Sequence, residues 1–257
     1  MNLNDIDLVM HKYGLIGFPL SHSFSKRYFT QKFIYEGVEN ASYGLFPLKD
    51  EKEVLQFIKN RNFSGINVTI PYKATVMPHL DELSPEAEAI QAVNVINNVD
   101  GKLYGYNTDC TGFEIALIKW LGPELPVKNA LILGTGGSAK SIAFALERND
   151  IPFLKVSRSS DRGDLTYEDL NASHIEQTDL IINCTPVGMW PNVHDAPPIP
   201  YDLLHKQHKL FDLVYNPEKT LFLTLGEEQG CAIRNGMKML VEQAEEAWRI
   251  WNNLEND

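Results

Sequence analysis

The run Leu131-Ile132-Leu133-Gly134-Thr135-Gly136-Gly137-Ser138-Ala139-Lys140 joins an apolar strand to a Gly-x-Gly-x-x-Ala turn and then to a helical segment. That order suits a pyrophosphate. Gly134 permits the tight turn, Gly136 lets the backbone approach the anion, and small Ala139 lets the helix lie close to the strand. Gly137 and Ser138 open the helix, whose N–H groups and dipole favour negative charge. A bare glycine pattern also fits an ordinary strand–helix turn, so the strand before it and the helix after it carry the weight. The next strand, Phe153 to Val156, ends in Ser157-Arg158-Ser159-Ser160-Asp161-Arg162. A site for NAD usually has an acid about 20 residues on, to hold the ribose hydroxyls. Here Ser157, Arg158 and Arg162 offer a hydroxyl and two guanidiniums to a ribose 2′-phosphate, which favours NADP, although Asp161 complicates the field.

A hydride carrier needs a substrate and a proton donor. Polar residues gather at the ends of other expected strands, in Gly65-Ile66-Asn67-Val68-Thr69-Ile70-Pro71-Tyr72-Lys73, in Ala92-Val93-Asn94-Val95 and in Tyr106-Asn107-Thr108-Asp109. Reducing a ketone requires an acid for the developing alkoxide, and the reverse reaction a base. A lysine serves both when its surroundings tune it, and an aspartate would orient it. Taken alone, Lys73 reads as a solvated surface lysine, and spacing does not establish that it meets Asp109. Ser23 reads equally as a helix cap, and Asn67, Asn94 and Asn107 as turn residues bonding their own backbone. Gln243 reads as an exposed helix residue. His22 lies between serines, but no nucleophile-elbow pattern surrounds it. His205 and His208 have no third candidate ligand, so no metal is expected.

The elements that must position these residues alternate along the chain. Strands are expected at Tyr13 to Gly17, Ser42 to Phe46, Gly65 to Thr69, Val93 to Val99 and Lys102 to Tyr106, the last two joined at Asp100-Gly101. Helices are expected at Ser23 to Glu36 and Lys52 to Asn60. After Pro123 and Pro126 the pattern restarts, with strands at Ala130 to Leu133, Phe153 to Val156, Leu180 to Asn183 and Leu210 to Val214, and a helix from Ser138 to Glu147. A last amphipathic helix runs from about Lys238 to Trp251. This is an α/β protein of two units, divided near residues 107 to 126. Periodicity does not say which unit owns the last helix.

Composition narrows the partners. The 257 residues suffice for one large core or two modest ones. A net charge of -11 argues against nucleic acid or anionic lipid as the main partner. Three cysteines, Cys110, Cys184 and Cys231, form neither a disulfide framework nor a metal knuckle, and reduced thiols in the cytoplasm are the expected reading. The acidic residues near the start do not suit a signal peptide, and no window approaches the ~20 apolar residues of a membrane span.

The segments GFPLSHSFS, GINVTIPYK, AVNVI, GYNTD, LGTGGSAKS, INCTPVGM and MLVEQAEEAW occur here in the order and approximate spacing found in the shikimate dehydrogenases. The chain resembles that shikimate/quinate dehydrogenase family from about Tyr13 to Trp251. The resemblance implies an N-terminal substrate domain with a mixed sheet, residues 1–106 with about 238–257, and a Rossmann-like NADP domain, 107–237, with a cleft between them. It implies that Lys73 is the catalytic lysine and Asp109 its partner, that Ser23 and Ser25 bind a substrate carboxylate, and that Asn67 and Thr69 line the substrate site. Asn94, Asp109 and Gln243 match residues that grip ring hydroxyls. Tyr215 and Gly236 match positions near the nicotinamide. Two departures stand out. The sequence stops soon after Trp251, where many relatives continue into a further helix, and Arg234-Asn235-Gly236 with Lys238 replaces a more acidic stretch.

The activity expected is reversible, NADPH-dependent reduction of 3-dehydroshikimate to shikimate, a step toward chorismate and the aromatic amino acids, by a cytoplasmic monomer or homodimer. Clustered hydroxyls and amides suit a small, densely hydroxylated acid. An NAD-dependent quinate/shikimate dehydrogenase is the nearest alternative, disfavoured by Ser25, where threonine would favour quinate, and by the arginines after Ser157. A dinucleotide-binding sensor without catalysis is the second.

Overall fold

Strand β1 (His11–Gly17) carries an alternation of apolar and small residues that continues into a fully buried end, and it becomes the centre of a parallel trio. The computed structural model describes residues 11–20 and 23–253. Following β1 come α1 (Phe24–Tyr35), β2 (Ala41–Pro47), α2 (Glu51–Asn60), β3 (Gly65–Val68), β4 (Glu82–Leu83), α3 (Pro85–Ile90), β5 (Val95–Val99) and β6 (Lys102–Tyr106). Their sheet has the order β2-β1-β3-β5-β6-β4. The β1–β2 and β1–β3 pairs are parallel, whereas β5 runs antiparallel to both β3 and β6, so the sheet is mixed. Helix α2 starts at Asp50, whose carboxylate accepts from Glu53 N at 2.9 Å, a cap of about 1 kcal/mol.

The second sheet is parallel throughout. It is built from β7 (Ala130–Leu133), β8 (Phe153–Ser157), β9 (Leu165–Thr166), β10 (Leu180–Asn183), β11 (Lys209–Asp212) and β12 (Ala232–Arg234), in the order β12-β11-β10-β7-β8-β9. The intervening helices are α4 (Asp109–Leu121), α5 (Gly137–Arg148), α6 (Ala172–Glu176), α7 (Leu221–Glu228) and α8 (Met237–Trp251). Strands buried on both faces read as continuous apolar runs, as in Leu180-Ile181-Ile182. The chain moves outward from β7 to β9, then returns to the other side of β7 with β10. In such sheets a ligand sits outside the carboxyl ends of the strands where the order reverses, here between β7 and β10.

Two compact units result. One holds the chain up to Thr108 and from Glu246 onward, the other Asp109–Glu245. The sequence placed the divisions at 106/107 and near 238. The second division instead falls inside α8, because this helix has two separate sets of neighbours along its length. Its first turns meet α4 at Gly112, where a Cβ would lie 2.8 Å from Met239 O and from Gln243 N. Its last turn carries Trp248 and Trp251 into the first unit's aromatic core. The Tyr13 ring lies 5.6 Å from that of Trp248 and 4.9 Å from that of Trp251, and Trp251 Nε1 donates to Ile96 O at 3.0 Å. Gly65 is required there, since a Cβ would collide with Trp251 Nε1.

Expected strands and helices recur within one to two residues, and the segment near 107 to 126, read as a break, contains α4. Helices α3 and α7 and the short strands β4, β9 and β12 had no clear periodic signal. Among the described residues, no helix is long and apolar enough to cross a membrane.

Candidate active site

In the first unit the ends of β1 and β3 are pressed together. A Cβ on Gly17 would collide with Thr69 Cγ2, while Thr69 N donates to Ile16 O at 2.9 Å. Only glycine at the end of β1 allows the Thr69 side chain that position. The chain then turns through Pro71, with Tyr72 N bonded to Thr69 O at 3.0 Å and the Tyr72 hydroxyl to Leu48 O at 2.7 Å. Val93 N donates to Lys73 O at 2.8 Å, which fixes the Lys73 backbone against the segment leading to Asn94. Lys73 itself is half-buried rather than fully solvated.

Asn94 and Asn107 are buried, and the partners of their side chains lie 14 and 15 residues away, not on their own backbone as a turn residue would have them. Asn94 Oδ1 accepts from Thr108 N at 2.7 Å, and its Nδ2 donates to Thr108 Oγ1 at 3.0 Å. Asn107 Nδ2 donates to Ala92 O at 2.9 Å. Together they clamp the Asn107-Thr108 turn to the 92–94 segment just where the chain enters Asp109.

Ser23 occupies the N-cap position of α1, yet its side chain makes no capping bond. Its Oγ is buried with no hydrogen-bond partner among the described residues. A buried hydroxyl without a partner is costly, and a ligand oxygen would satisfy it. Ser25, in the first turn, bonds the Tyr43 hydroxyl. Tyr43 in turn donates to Asn67 Oδ1 at 2.6 Å. Thus Ser25 and Asn67, singled out separately, are brought together through a tyrosine that sequence reasoning missed. A tyrosine in an alternating strand reads as core, and no local signal distinguishes its hydroxyl. His22 lies outside the described residues.

In the second unit Gly134 has φ +105, a backbone state that favours glycine, and a Cβ there would approach Thr185 Cγ2 to 2.9 Å. By contrast, a Cβ on Gly136 or Gly137 would meet nothing within 4 Å. The turn is therefore open around both glycines, and α5 begins at Gly137, after the N-cap Gly136, without a side-chain cap. Ala139 is buried against the sheet. This open cradle and uncapped helix start fit a dinucleotide pyrophosphate. At the end of β8, buried Ser157 accepts from Ser159 N at 3.3 Å, while Arg158 and Arg162 are exposed. Ser159 donates to Asp161 and holds its carboxyl below the usual range, with Arg162 Nε 3.9 Å away. Two accessible guanidiniums suit a further phosphate.

The ends of β10 and β11 form a buried polar network that the sequence did not reveal. Asp212 accepts from Thr220 Oγ1 at 2.5 Å, from Asn183 Nδ2 at 3.0 Å and from Val214 N at 3.0 Å. Burial pushes its carboxyl up to about 6 despite these bonds. Asn183 Oδ1 also accepts from Thr185 Oγ1 at 2.6 Å, so the network runs from the turn before Tyr215 to the residue facing Gly134. Half-buried Tyr215 follows this turn, and burial raises its phenol. Gly236 N donates to Val214 O at 3.2 Å, and a Cβ on Gly236 would strike Leu213 O.

Gln243 is 9% exposed, not on an open helix face, and its Nε2 donates to Leu240 O at 2.9 Å. Asp109 lies three residues before Gly112 on α4, hence on the face of α4 that meets α8 near Gln243. His208 Nδ1 accepts from the backbone N of His205 at 2.9 Å, His208 Nε2 reaches Ile175 O at 3.0 Å, and the His205 ring accepts from Gln207 N at 3.4 Å. Among the described residues, no group of three or more His, Cys, Asp or Glu could hold a metal ion.

A family model for the shikimate dehydrogenase substrate binding domain matches residues 15–96. The shikimate dehydrogenase (NADP(+)) of Syntrophomonas wolfei is 40% identical over 258 residues, spanning 93% of this chain and 88% of that one. This chain belongs to the shikimate dehydrogenase family.

Solved structures of the family share both sheets. Shikimate 5-dehydrogenase from Thermus thermophilus, in complex with NADP(H) and shikimate, superposes with a TM-score of 0.85 at 31% identity, covering 96% of this chain and 95% of that one. Quinate dehydrogenase from Corynebacterium glutamicum, in complex with NAD, gives a TM-score of 0.86 at 26% identity, again over 96% and 95%. The fold is thus common to enzymes of both substrates, and local residues must carry the distinction.

Proposed function

We infer that this protein catalyses the reversible, NADP-dependent reduction of 3-dehydroshikimate to shikimate. The relative from Syntrophomonas wolfei, named for that activity and covered over nearly its whole length, carries the reading. The open Gly136-Gly137 cradle and the accessible Arg158 and Arg162 support NADP. In this reading the first unit binds the substrate and the second the dinucleotide.

NADPH, when bound, supplies the hydride. Lys73 gives a proton to the carbonyl oxygen as it becomes a hydroxyl, and takes one back in the oxidation direction. Asn94 in the first unit, and Asp109 and Gln243 in the second, are the residues assigned to the ring hydroxyls. Ser23 and Ser25, at the start of α1, receive the carboxylate, where the helix dipole also favours an anion. Thr69 and Asn67 line the same side, while Tyr215 and Gly236 border the nicotinamide. Gly134 and Ala139 shape the pyrophosphate turn, and Gly137 and Ser138 present its N–H groups. Ser157 joins the two arginines at the ribose phosphate.

The likeness to quinate dehydrogenase with NAD makes that enzyme the second reading. Initial rates of cofactor reduction with shikimate or quinate, each with NADP or NAD, separate the two. The first reading expects the highest kcat/KM for shikimate with NADP, and a loss of cofactor preference in Arg158→Gln. A preference for quinate with NAD would reverse the assignment. Tight NADP binding without turnover of any ring acid would instead indicate a sensor.

A further inference from the structure

We propose that Tyr43 is a positioning residue for the substrate, acting through Asn67, whose side-chain oxygen it occupies so that the amide N–H group is presented to a substrate oxygen. The inference rests on the functional reading above, in which Asn67 lines the substrate site.

Tyr43 lies on β2, at the edge of the first sheet, and is buried. Its ring stacks on Phe29, with centroids 4.8 Å apart and planes inclined by 10°. Two side chains meet its hydroxyl, Asn67 Oδ1 at 2.6 Å and the Ser25 hydroxyl. A phenol has one proton. Burial pushes this one far up, so Tyr43 keeps its proton and gives it to Asn67. The Ser25 hydroxyl is then the donor in its own bond to Tyr43.

The consequence for Asn67 is an assigned orientation. An isolated amide can present either its oxygen or its nitrogen to a ligand. With the oxygen held by Tyr43, the nitrogen is the end left to face other groups. Within the protein its partner is Asn94 O, at 3.5 Å, at the outer limit of a hydrogen bond. An amide with one firm bond on the oxygen and one long bond on the nitrogen is set to donate to a closer acceptor. Ring hydroxyl and carboxylate oxygens are such acceptors, and an analogue that offered only a donor there would be refused.

Three variants test this, with KM and kcat for shikimate, KM for NADP and thermal unfolding measured on each. Tyr43→Phe keeps the ring stack and removes the proton. It is expected to raise KM for shikimate about tenfold, with kcat and KM for NADP within twofold of wild type. Asn67→Asp keeps the shape and still accepts from Tyr43 but cannot donate, and should raise KM for shikimate at least as much. In an Asn67→Ala background, Tyr43→Phe should add less than a twofold further rise, because the two residues act as one. An unchanged KM in either single variant overturns the proposal, and so does an equal rise in the wild-type and Asn67→Ala backgrounds, which would mark a general packing defect. If Tyr43→Phe does not fold, Asn67→Asp decides. A wild-type enzyme inert toward shikimate overturns the functional reading and this inference with it. An active wild type with unaffected variants overturns the inference alone.

Discussion

Thr220 donates to Asp212 at 2.5 Å, and this pair sits in a fully buried network beneath the turn that carries Tyr215. Burial raises the Asp212 carboxyl from 3.8 to about 6, outweighing its three hydrogen bonds. The folded protein therefore holds this proton more tightly than the unfolded chain does. The resulting stability is fully present below about pH 4 and is lost as pH rises through about 6. Two pKa units correspond to at most about 3 kcal/mol. Denaturant titrations of wild type and Asp212→Asn across pH 4 to 7 check this. The unfolding free energy of wild type, relative to the variant, is expected to fall by up to that amount, and a constant difference would exclude the coupling.

Lys73 has a fixed backbone and a half-buried side chain, as an acid–base group requires. Lys73→Ala is expected to reduce kcat by about 10²- to 10⁴-fold, the usual contribution of a placed proton donor. KM for shikimate should change far less. Steady-state kinetics in the oxidation direction reads both, and a near-normal kcat would remove Lys73 from the mechanism.

Two glycines should respond oppositely to alanine. At Gly137 a Cβ meets nothing, so Gly137→Ala should leave thermal stability equal or slightly higher, since alanine is favoured in a helix by up to about 1 kcal/mol. It should nonetheless raise KM for NADP, because the methyl enters space assigned to the pyrophosphate. At Gly236 the Cβ would strike Leu213 O, and Gly236→Ala should cost about 1–3 kcal/mol. Calorimetry together with NADP titration distinguishes the two outcomes.

The two serines at the start of α1 differ in a way their spacing conceals. Ser23 Oγ has no partner among the described residues, whereas the Ser25 hydroxyl is engaged with Tyr43. Ser23 thus has the proton that a carboxylate can take without breaking an internal bond. Ser23→Ala should raise KM for shikimate several-fold more than Ser25→Ala does. Equal effects, or the reverse order, would show that Ser25 leaves Tyr43 when substrate binds.

Chain-local physics was readable from the amino acids. The Gly134 turn, the apolar strands of the second sheet and the basic end of β8 each announce themselves within ten residues. Partners distant in sequence were not readable. Tyr43 fits the alternation of β2 whether or not its hydroxyl meets Asn67, because periodicity gives the buried face but not the atom across from it. Asp212, at the end of an apolar strand, gives no sign of Thr220 or Asn183. Gln243 looked solvent-facing because nothing near it in sequence reveals that Gly112 lets α4 lie against it. The ownership of α8 was unreadable for a related reason, since one continuous helix serves both units.

The Trp251 ring against Gly65 has a bearing on how the protein is made. Ribosomes deliver the chain from its amino end, so the strands of the first sheet emerge long before the ring that fills their aromatic core. Every residue of the second unit is translated in between. The first unit's aromatic core lacks Trp248 and Trp251 until the last turn of α8 has been made, whereas the second unit needs α8 only as far as Glu245. The unit whose strands are made first is thus the one whose last core residues are made last.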